Sequence, residues 1–198
     1  MTLLPIAHSP VKLEAIFCVQ AVETTLGAIL TARASAGKPK IRKLEGHFHG
    51  MHDCLWYNRA AGLGETRTDG TIAPVPDSEG IPSALADLIL VAPFNNLGAF
   101  DRIVRSHRDE LAAVIMEPIW YNQGCIPSDP ESVREVRRIS AQNGIILIFD
   151  EVLSALRMCR GGGQEYYCVM PDLCTLAKAL GVVYPSQPCA VVTRSCQC

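Results

Sequence analysis

The sequence predicts an α/β fold in which a mainly parallel β-sheet carries helices on both faces. The strongest indication is the stretch from Gly144 to Val152, where five consecutive apolar residues are followed by Asp150 and Glu151. Such a run is typical of a strand that is buried on both faces. Strand and helix patterns also alternate from residue 87 onward, which favours right-handed βαβ units. With 198 residues, 48% of them hydrophobic and 19% charged, the chain can form one globular core.

The first half of the chain contains one clear helix. Ala, Leu and Ile recur at helical spacing over residues 21–36, and Gly37, followed by a proline two residues later, is a helix stop. Residues 1–16 are poorly patterned because two prolines interrupt any regular element. A short strand is predicted over 41–45, and residues 46–80, rich in Gly, Pro, Thr and Asp, form a long connection.

The second half alternates strands with helices. A helix is predicted to begin at Pro130, with Ser128 or Asp129 as its N-cap, and to stop at Gly144, because each of these residue types is favoured at that position. The other predicted elements are strands over 87–92 and 111–116 and a helix over 98–107.

Composition excludes several functional classes. The net charge of −2 and the isoelectric point near 6.2 give no basic surface for nucleic acid or for an anionic membrane. No apolar run approaches the roughly 20 residues of a membrane span, and the N-terminus lacks the basic start of a signal peptide. The nine cysteines are unevenly spaced and include no C-x-x-C pair, so we interpret them as reduced thiols. We therefore expect a cytoplasmic protein.

Three polar side chains follow predicted strands at equal intervals. Asn122 precedes Asp150 by 28 residues, and Lys178 follows Asp150 by the same distance. Ligands of open α/β sheets bind outside the carboxyl ends of the strands, so an Asn, an Asp and a Lys at such ends form a candidate site. Taken singly, each residue also fits a structural role, such as a helix cap, a turn or an exposed lysine.

Several short motifs occur in a consistent order over residues 17–181. They are Ala32-Arg33-Ala34, Gly37-Lys38-Pro39-Lys40-Ile41, Glu45-Gly46-His47-Phe48-His49-Gly50-Met51-His52-Asp53, Glu117-Pro118, Phe149-Asp150-Glu151-Val152, Gly162-Gly163-Gln164 and Pro171-Asp172-Leu173 through Lys178. Together these motifs resemble class III pyridoxal-phosphate aminotransferases. Within that family the pattern is most similar to glutamate-1-semialdehyde aminomutase and its relatives.

The resemblance implies pyridoxal 5'-phosphate as cofactor and a role for each matching residue. Lys178 would hold the cofactor as a Schiff base and move the proton, and Asp150 would pair with the protonated pyridine nitrogen. Asn122 would hydrogen-bond the ring hydroxyl, Phe48 would cover one ring face, and Val152 would pack beneath the other. The implied reaction is amino-group transfer on an amino acid, an amino-aldehyde or a keto acid.

The resemblance also implies a larger assembly than this chain. The fold would be the large domain of a fold type I pyridoxal-phosphate-dependent transferase, covering residues 17–198 and incomplete at both ends, and the protein would be a homodimer. The family binds the cofactor phosphate with Ser-Gly-Thr at a helix start, which predicts phosphate contacts at Ala21 and Val22. Here that run is Gln20-Ala21-Val22, without the hydroxyl.

Two alternatives remain open from the sequence. His47, His49 and His52 have an H-x-H-x-x-H spacing that resembles the zinc loop of metallo-β-lactamase-like hydrolases. The chain could also be a catalytically weak or inactive remnant of the aminotransferase fold.

Overall fold

A computed structural model of the chain describes residues 13–18, 20–180 and 189–194, and it describes side chains for residues 20–179. Its main feature is a seven-stranded sheet with the spatial order β3-β2-β4-β7-β8-β9-β1. The five strands from β3 to β8 are parallel, and β9 and β1 add two antiparallel pairings at one side. These strands are β1 (Leu13–Cys18), β2 (Lys40–Leu44), β3 (Ile89–Ala92), β4 (Leu111–Met116), β7 (Ile146–Glu151), β8 (Leu173–Leu176) and β9 (Cys189–Arg194).

Four α-helices in the described part of the chain accompany the sheet, and the ends of α1 (Ala21–Ala36) and α3 (Pro130–Gln142) follow local sequence signals. Helix α1 ends at Gly37, which adopts φ 64° and donates its N–H to the Arg33 carbonyl at 2.9 Å. Helix α3 begins with Asp129 as N-cap and Pro130 as its first residue, as predicted. The helices are α1 (Ala21–Ala36), α2 (Leu97–His107), α3 (Pro130–Gln142) and α4 (Gly162–Tyr167); β5 (Ile119–Trp120) and β6 (Ile126–Pro127) form a separate hairpin.

Two apolar clusters lie on opposite faces of the sheet. Phe149 of β7 packs with Phe100 of α2 and Val133 of α3 on one face, while the preceding Ile148 packs with Ile29 of α1 on the other. Successive strand residues point to opposite faces, so β7 is buried on both sides. The predicted fold class, a mainly parallel sheet with helices on both faces, is confirmed.

Lys43 anchors the long connection after β2. Its side chain is 1% exposed, and its ammonium group donates to the carbonyl oxygen of His47 at 2.9 Å, to that of Leu55 at 3.4 Å and to that of Tyr57. Because these three carbonyls belong to one loop, a single buried charge fixes the path of residues 47–57 against the sheet.

The structure differs from the prediction at several elements. Strand β1 begins at Leu13, within the segment that the sequence leaves unpatterned, and it pairs with β9 rather than with a neighbour in sequence. Helix α4 and the β5–β6 hairpin were not predicted, because each is too short to show a period. Within the described residues, no helix is long and apolar enough to cross a membrane.

Candidate active site

The candidate site lies where β7 and β8 end beside the first turn of α1. Asp150 is the fifth residue of β7, is 3% exposed, and pairs in register with Thr175 of the parallel strand β8. Lys178 follows β8 by two residues and is exposed. The parallel pairing of β7 and β8 thus brings the carboxylate and the lysine backbone to the same edge of the sheet.

Three protein donors hold the Asp150 carboxylate. Its Oδ1 accepts from the Thr175 hydroxyl at 2.8 Å and from the Val152 backbone N–H at 3.2 Å, and its Oδ2 lies 2.7 Å from Nδ1 of His49. A carboxylate offers about four acceptor positions, so these contacts leave one position on Oδ2. The group is therefore fixed in place and can still accept one more hydrogen bond.

His49 is a hydrogen-bond partner of Asp150 that the sequence analysis did not assign. Burial lowers the pKa of His49, although the nearby Asp150 opposes that shift, so the imidazole is neutral at physiological pH. Because Nδ1 faces a carboxylate oxygen, Nδ1 carries the proton, and the buried Nε2 is an acceptor without a partner among the described residues.

An apolar contact joins the ends of β7 and β8 to the start of α1. Val152, Ala177 and Ala21 pack together, which places the α1 N-terminus against the residue just before Lys178. Lys178 itself adopts φ 42°, a left-handed conformation that costs a non-glycine residue about 1–2 kcal/mol. Strain of this kind is concentrated at functional sites.

The loop that carries Phe48 and His49 also meets α1. A Cβ atom on Gly50, which has φ 99°, would lie 3.3 Å from Cα of Val22. The Thr25 hydroxyl donates to the carbonyl oxygen of His49 at 2.7 Å. The close approach and the hydrogen bond together dock this loop on the first two turns of the helix.

Glu117 connects the same loop to the end of β4. Its Oε1 accepts from the Phe48 backbone N–H at 2.7 Å, and the residue is 3% exposed. Burial, reinforced by the negative charge of Asp150, raises the pKa of Glu117 from 4.5 to about 8. At neutral pH this carboxyl group is therefore protonated.

The raised pKa of Glu117 predicts a stability that falls as the pH rises. The folded state retains a proton that the unfolded state releases near pH 4.5, so the stabilisation is complete below that pH and is lost as the pH approaches 8. We expect a slope of up to about −1.4 kcal/mol per pH unit between roughly pH 6.5 and 8, above the range where the buried histidines titrate. Urea unfolding at several pH values measures it.

Glu117→Gln is the matched control for this prediction, because glutamine keeps an acceptor for the Phe48 N–H and has no proton to lose. The variant should flatten the slope and be more stable than the parent at pH 8. Glu151, whose pKa burial also raises, stays unchanged in both proteins and cancels in the difference. Equal slopes in the two proteins would show that Glu117 is ionised in the folded state.

The zinc interpretation of the histidine loop is wrong in this structure. Nδ1 of His47 accepts from the Glu117 backbone N–H at 3.0 Å, His49 bonds to Asp150, and Nε2 of His52 lies 3.3 Å from the Thr25 hydroxyl. The three imidazoles thus have different partners. Among the described residues, no group of three or more His, Cys, Asp and Glu side chains could hold a metal ion.

Two other candidate residues, Asn122 and Phe48, make no direct hydrogen bond to Asp150 among the described residues. Asn122 is exposed in a short 3-10 helix, Tyr121–Gln123, and makes no hydrogen bond to Asp150 in the described part of the chain. Phe48 is half-buried and reaches the site through its backbone bond to Glu117. The structure therefore brings Asp150, Val152, Ala21, Val22 and the Phe48 loop together, but it does not join Asn122 to them.

Comparisons with known proteins match most of this chain to one protein family. A family model described as aminotransferase class-III matches residues 7–195. Glutamate-1-semialdehyde 2,1-aminomutase of Methanococcus maripaludis is 40% identical over 169 residues, which cover 85% of this chain and 38% of that protein. The protein of the same name from Hyperthermus butylicus is 39% identical over 163 residues, covering 82% of this chain and 37% of that protein.

Solved structures give a consistent result. An omega-transaminase from Sphaerobacter thermophilus superposes with a TM-score of 0.82 at 35% identity, over 92% of this chain and 40% of that one. A structure described as a transaminase with PLP bound superposes with a TM-score of 0.78 at 26% identity, over 91% of this chain and 40% of that one. The chain thus spans about two fifths of the length of these relatives.

Proposed function

The chain belongs to the class III aminotransferase family, and from that premise we propose that it binds pyridoxal 5'-phosphate and takes part in amino-group transfer as an aminotransferase or aminomutase. The observation that carries the proposal is the buried Asp150 carboxylate, held at the end of β7 beside the strand that leads into Lys178. The family and the PLP-bound structural neighbour support the choice of cofactor.

The residues of the site fit this cofactor. A protonated pyridine nitrogen needs a fixed carboxylate with an open acceptor position, and Asp150 has one on Oδ2 after its three protein donors are counted. Val152, packed against Ala21 and Ala177, offers an apolar surface next to that position. His49 is neutral and bonded to Asp150, so it orients the carboxylate without neutralising its charge.

When bound, the cofactor supplies an electron-withdrawing ring that stabilises negative charge on the substrate carbon. Lys178 would hold it as a Schiff base and, when released, would move a proton at that carbon. Asp150 would keep the ring nitrogen protonated. Phe48 and Val152 would lie against the two ring faces, and Asn122 would hydrogen-bond the ring hydroxyl.

The start of α1, where the cofactor phosphate would bind, predicts a weak affinity for pyridoxal phosphate. The backbone N–H groups of the first turn of α1 point along the helix axis toward its N-terminal end, but Val22 has no hydroxyl and Ala21 brings a Cβ atom close to them. The Gln20 N–H is also engaged by the carboxylate of Glu23 at 3.2 Å. We expect the triple variant Gln20→Ser, Ala21→Gly, Val22→Thr to bind pyridoxal phosphate more tightly by about 1–3 kcal/mol.

Titration of the cofactor absorbance in both proteins measures this difference. The single variant Val22→Ser serves as a control, because it adds a hydroxyl and keeps Ala21, which stands where the family motif has glycine. If the triple variant and the parent bind equally, the helix start is not the phosphate site.

Borohydride reduction tests the proposed function as a whole. The chain is incubated with pyridoxal phosphate, reduced, digested and mapped by mass spectrometry, and the modified peptide should contain Lys178. Modification spread over partly exposed lysines such as Lys38 and Lys40 would contradict the assignment. Complete absence of a specific adduct would instead support a non-catalytic relative of the family.

The partners of the chain are proposed on the same basis. A small-molecule amino-group donor and acceptor, a homodimeric assembly and a cytoplasmic location are all consistent with the family. Exposed apolar side chains support association, among them Leu30 at 55% and Tyr166 at 56% exposure. Light scattering at micromolar concentrations should show a dimer, and a stable monomer would count against it.

A further inference from the structure

Arg42 lies on the opposite face of the sheet from α1, where α2 and α3 cover the central strands. Its neighbour Ile41 belongs to the apolar cluster beneath α1, so the alternation of β2 directs Arg42 to the other side. There its guanidinium carbon lies 4.4 Å above the centre of the Phe100 ring. The side chain is 2% exposed, which is rare for a charged group.

This buried charge has no counter-ion among the residues that the structure describes. Arg42 makes no ion pair or hydrogen bond there, and its Nε is buried without a partner. Burial lowers the pKa of Arg42 to about 9, with no carboxylate opposing the shift. The cation–π contact with Phe100 returns only part of the cost of removing an arginine charge from water. The positive charge of Arg42 is therefore only partly compensated by the residues around it.

Arg42 lines a small pocket whose other polar lining side chains, Asn95, Asn96, Ser128 and Ser132, all carry hydrogen-bond donors. The side-chain carbonyl of Asn95 accepts from the Asp129 N–H at 3.1 Å, and that of Asn96 accepts from the Ala99 N–H at 2.9 Å, so both amide NH₂ groups are left as donors. The buried hydroxyl of Ser128, which also lines the pocket, has no partner among the described residues.

We propose that this pocket binds one small univalent anion of about the size of chloride, with the Arg42 guanidinium at its base and the Asn95, Asn96 and Ser128 donors around it. A single negative charge matches the single cation. The remaining wall, which includes Leu44, Phe100 and Val133, is apolar and would not tolerate the second charge of sulfate or phosphate. The site is separate from the one around Asp150 and does not depend on the proposed function.

Thermal unfolding in chloride and gluconate tests the proposal. Sodium gluconate, whose anion is too large for the pocket, is replaced stepwise by sodium chloride at constant ionic strength. Chloride at ten times its dissociation constant should raise the unfolding midpoint by roughly 3–6 °C, with saturation. A midpoint that is the same in both salts would overturn the proposal.

Two variants localise the effect. Arg42→Met should abolish the chloride dependence, whereas Arg105→Met, which removes an arginine that is 79% exposed on α2, should retain it. The line width of ³⁵Cl in nuclear magnetic resonance gives a second readout on the parent protein. Excess broadening that bromide reverses supports binding even if Arg42→Met does not fold, and broadening that persists in folded Arg42→Met overturns the assignment to this pocket.

Discussion

Lys178→Ala should abolish the borohydride-stable adduct with pyridoxal phosphate and leave the fold intact. The side chain is exposed and makes no ion pair or hydrogen bond within the described residues, so its loss removes little packing. Because the amine is the only group of this residue that can bond to an aldehyde carbon, we expect complete loss of the adduct rather than a reduction. Mass spectrometry of the reduced protein measures the loss.

Lys178→Gly and Lys38→Ala complete the design. Glycine adopts φ 42° without strain, so Lys178→Gly should be more stable than Lys178→Ala by about 1 kcal/mol, although both lose the adduct. Lys38→Ala removes a partly exposed lysine that donates to the Arg108 carbonyl oxygen, and this variant should keep the adduct. If adduct formation survives in Lys178→Ala, another lysine holds the cofactor.

Gly46→Ala should lower the free energy of unfolding by about 2–5 kcal/mol. Gly46 has φ 77°, and a Cβ atom there would lie 1.9 Å from Cζ2 of Trp120. The added methyl group must therefore displace a ring that packs against Phe94 at a centroid distance of 5.1 Å. Denaturant unfolding of the purified variant measures the loss.

Gly37→Ala separates the two causes of that loss. Gly37 has φ 64°, similar to Gly46, but no atom lies within 4 Å of its Cβ position, so only the conformational cost of about 1–2 kcal/mol applies. Combining Gly46→Ala with Trp120→Ala should cost less than the sum of the two single changes, because the clash is then absent. Additive losses would mean that the ring moves aside freely.

The sequence predicts the regular elements that carry their own local signals. Helix α3 was predicted within a residue or two because Asp129 and Pro130 mark its start by local chemistry. Strand β7 was predicted because an uninterrupted apolar run fits no exposed element. By contrast, β1 depends on pairing with β9, about 175 residues away in the chain, and no local pattern reveals such a partner.

The candidate site could likewise be predicted only in part from the sequence. That Asp150 and Lys178 lie at one edge of the sheet follows from a general rule about strand ends, although their chemical roles stay predictions. The partnership of His49 with Asp150 could not be predicted, because it joins residues 101 positions apart. The protonation of Glu117 was equally hidden, since it results from burial that only the assembled fold creates.

The wide separation of His49 and Asp150 also sets an order of events during synthesis. At 5–20 residues per second, a ribosome adds Asp150 roughly 5–20 s after His49. Until then His49 lacks its carboxylate partner, and β4 lacks its neighbour β7. The newly made chain therefore carries an unfinished sheet edge for seconds, and the hydrogen bond between His49 and Asp150 cannot form before β7 has been made.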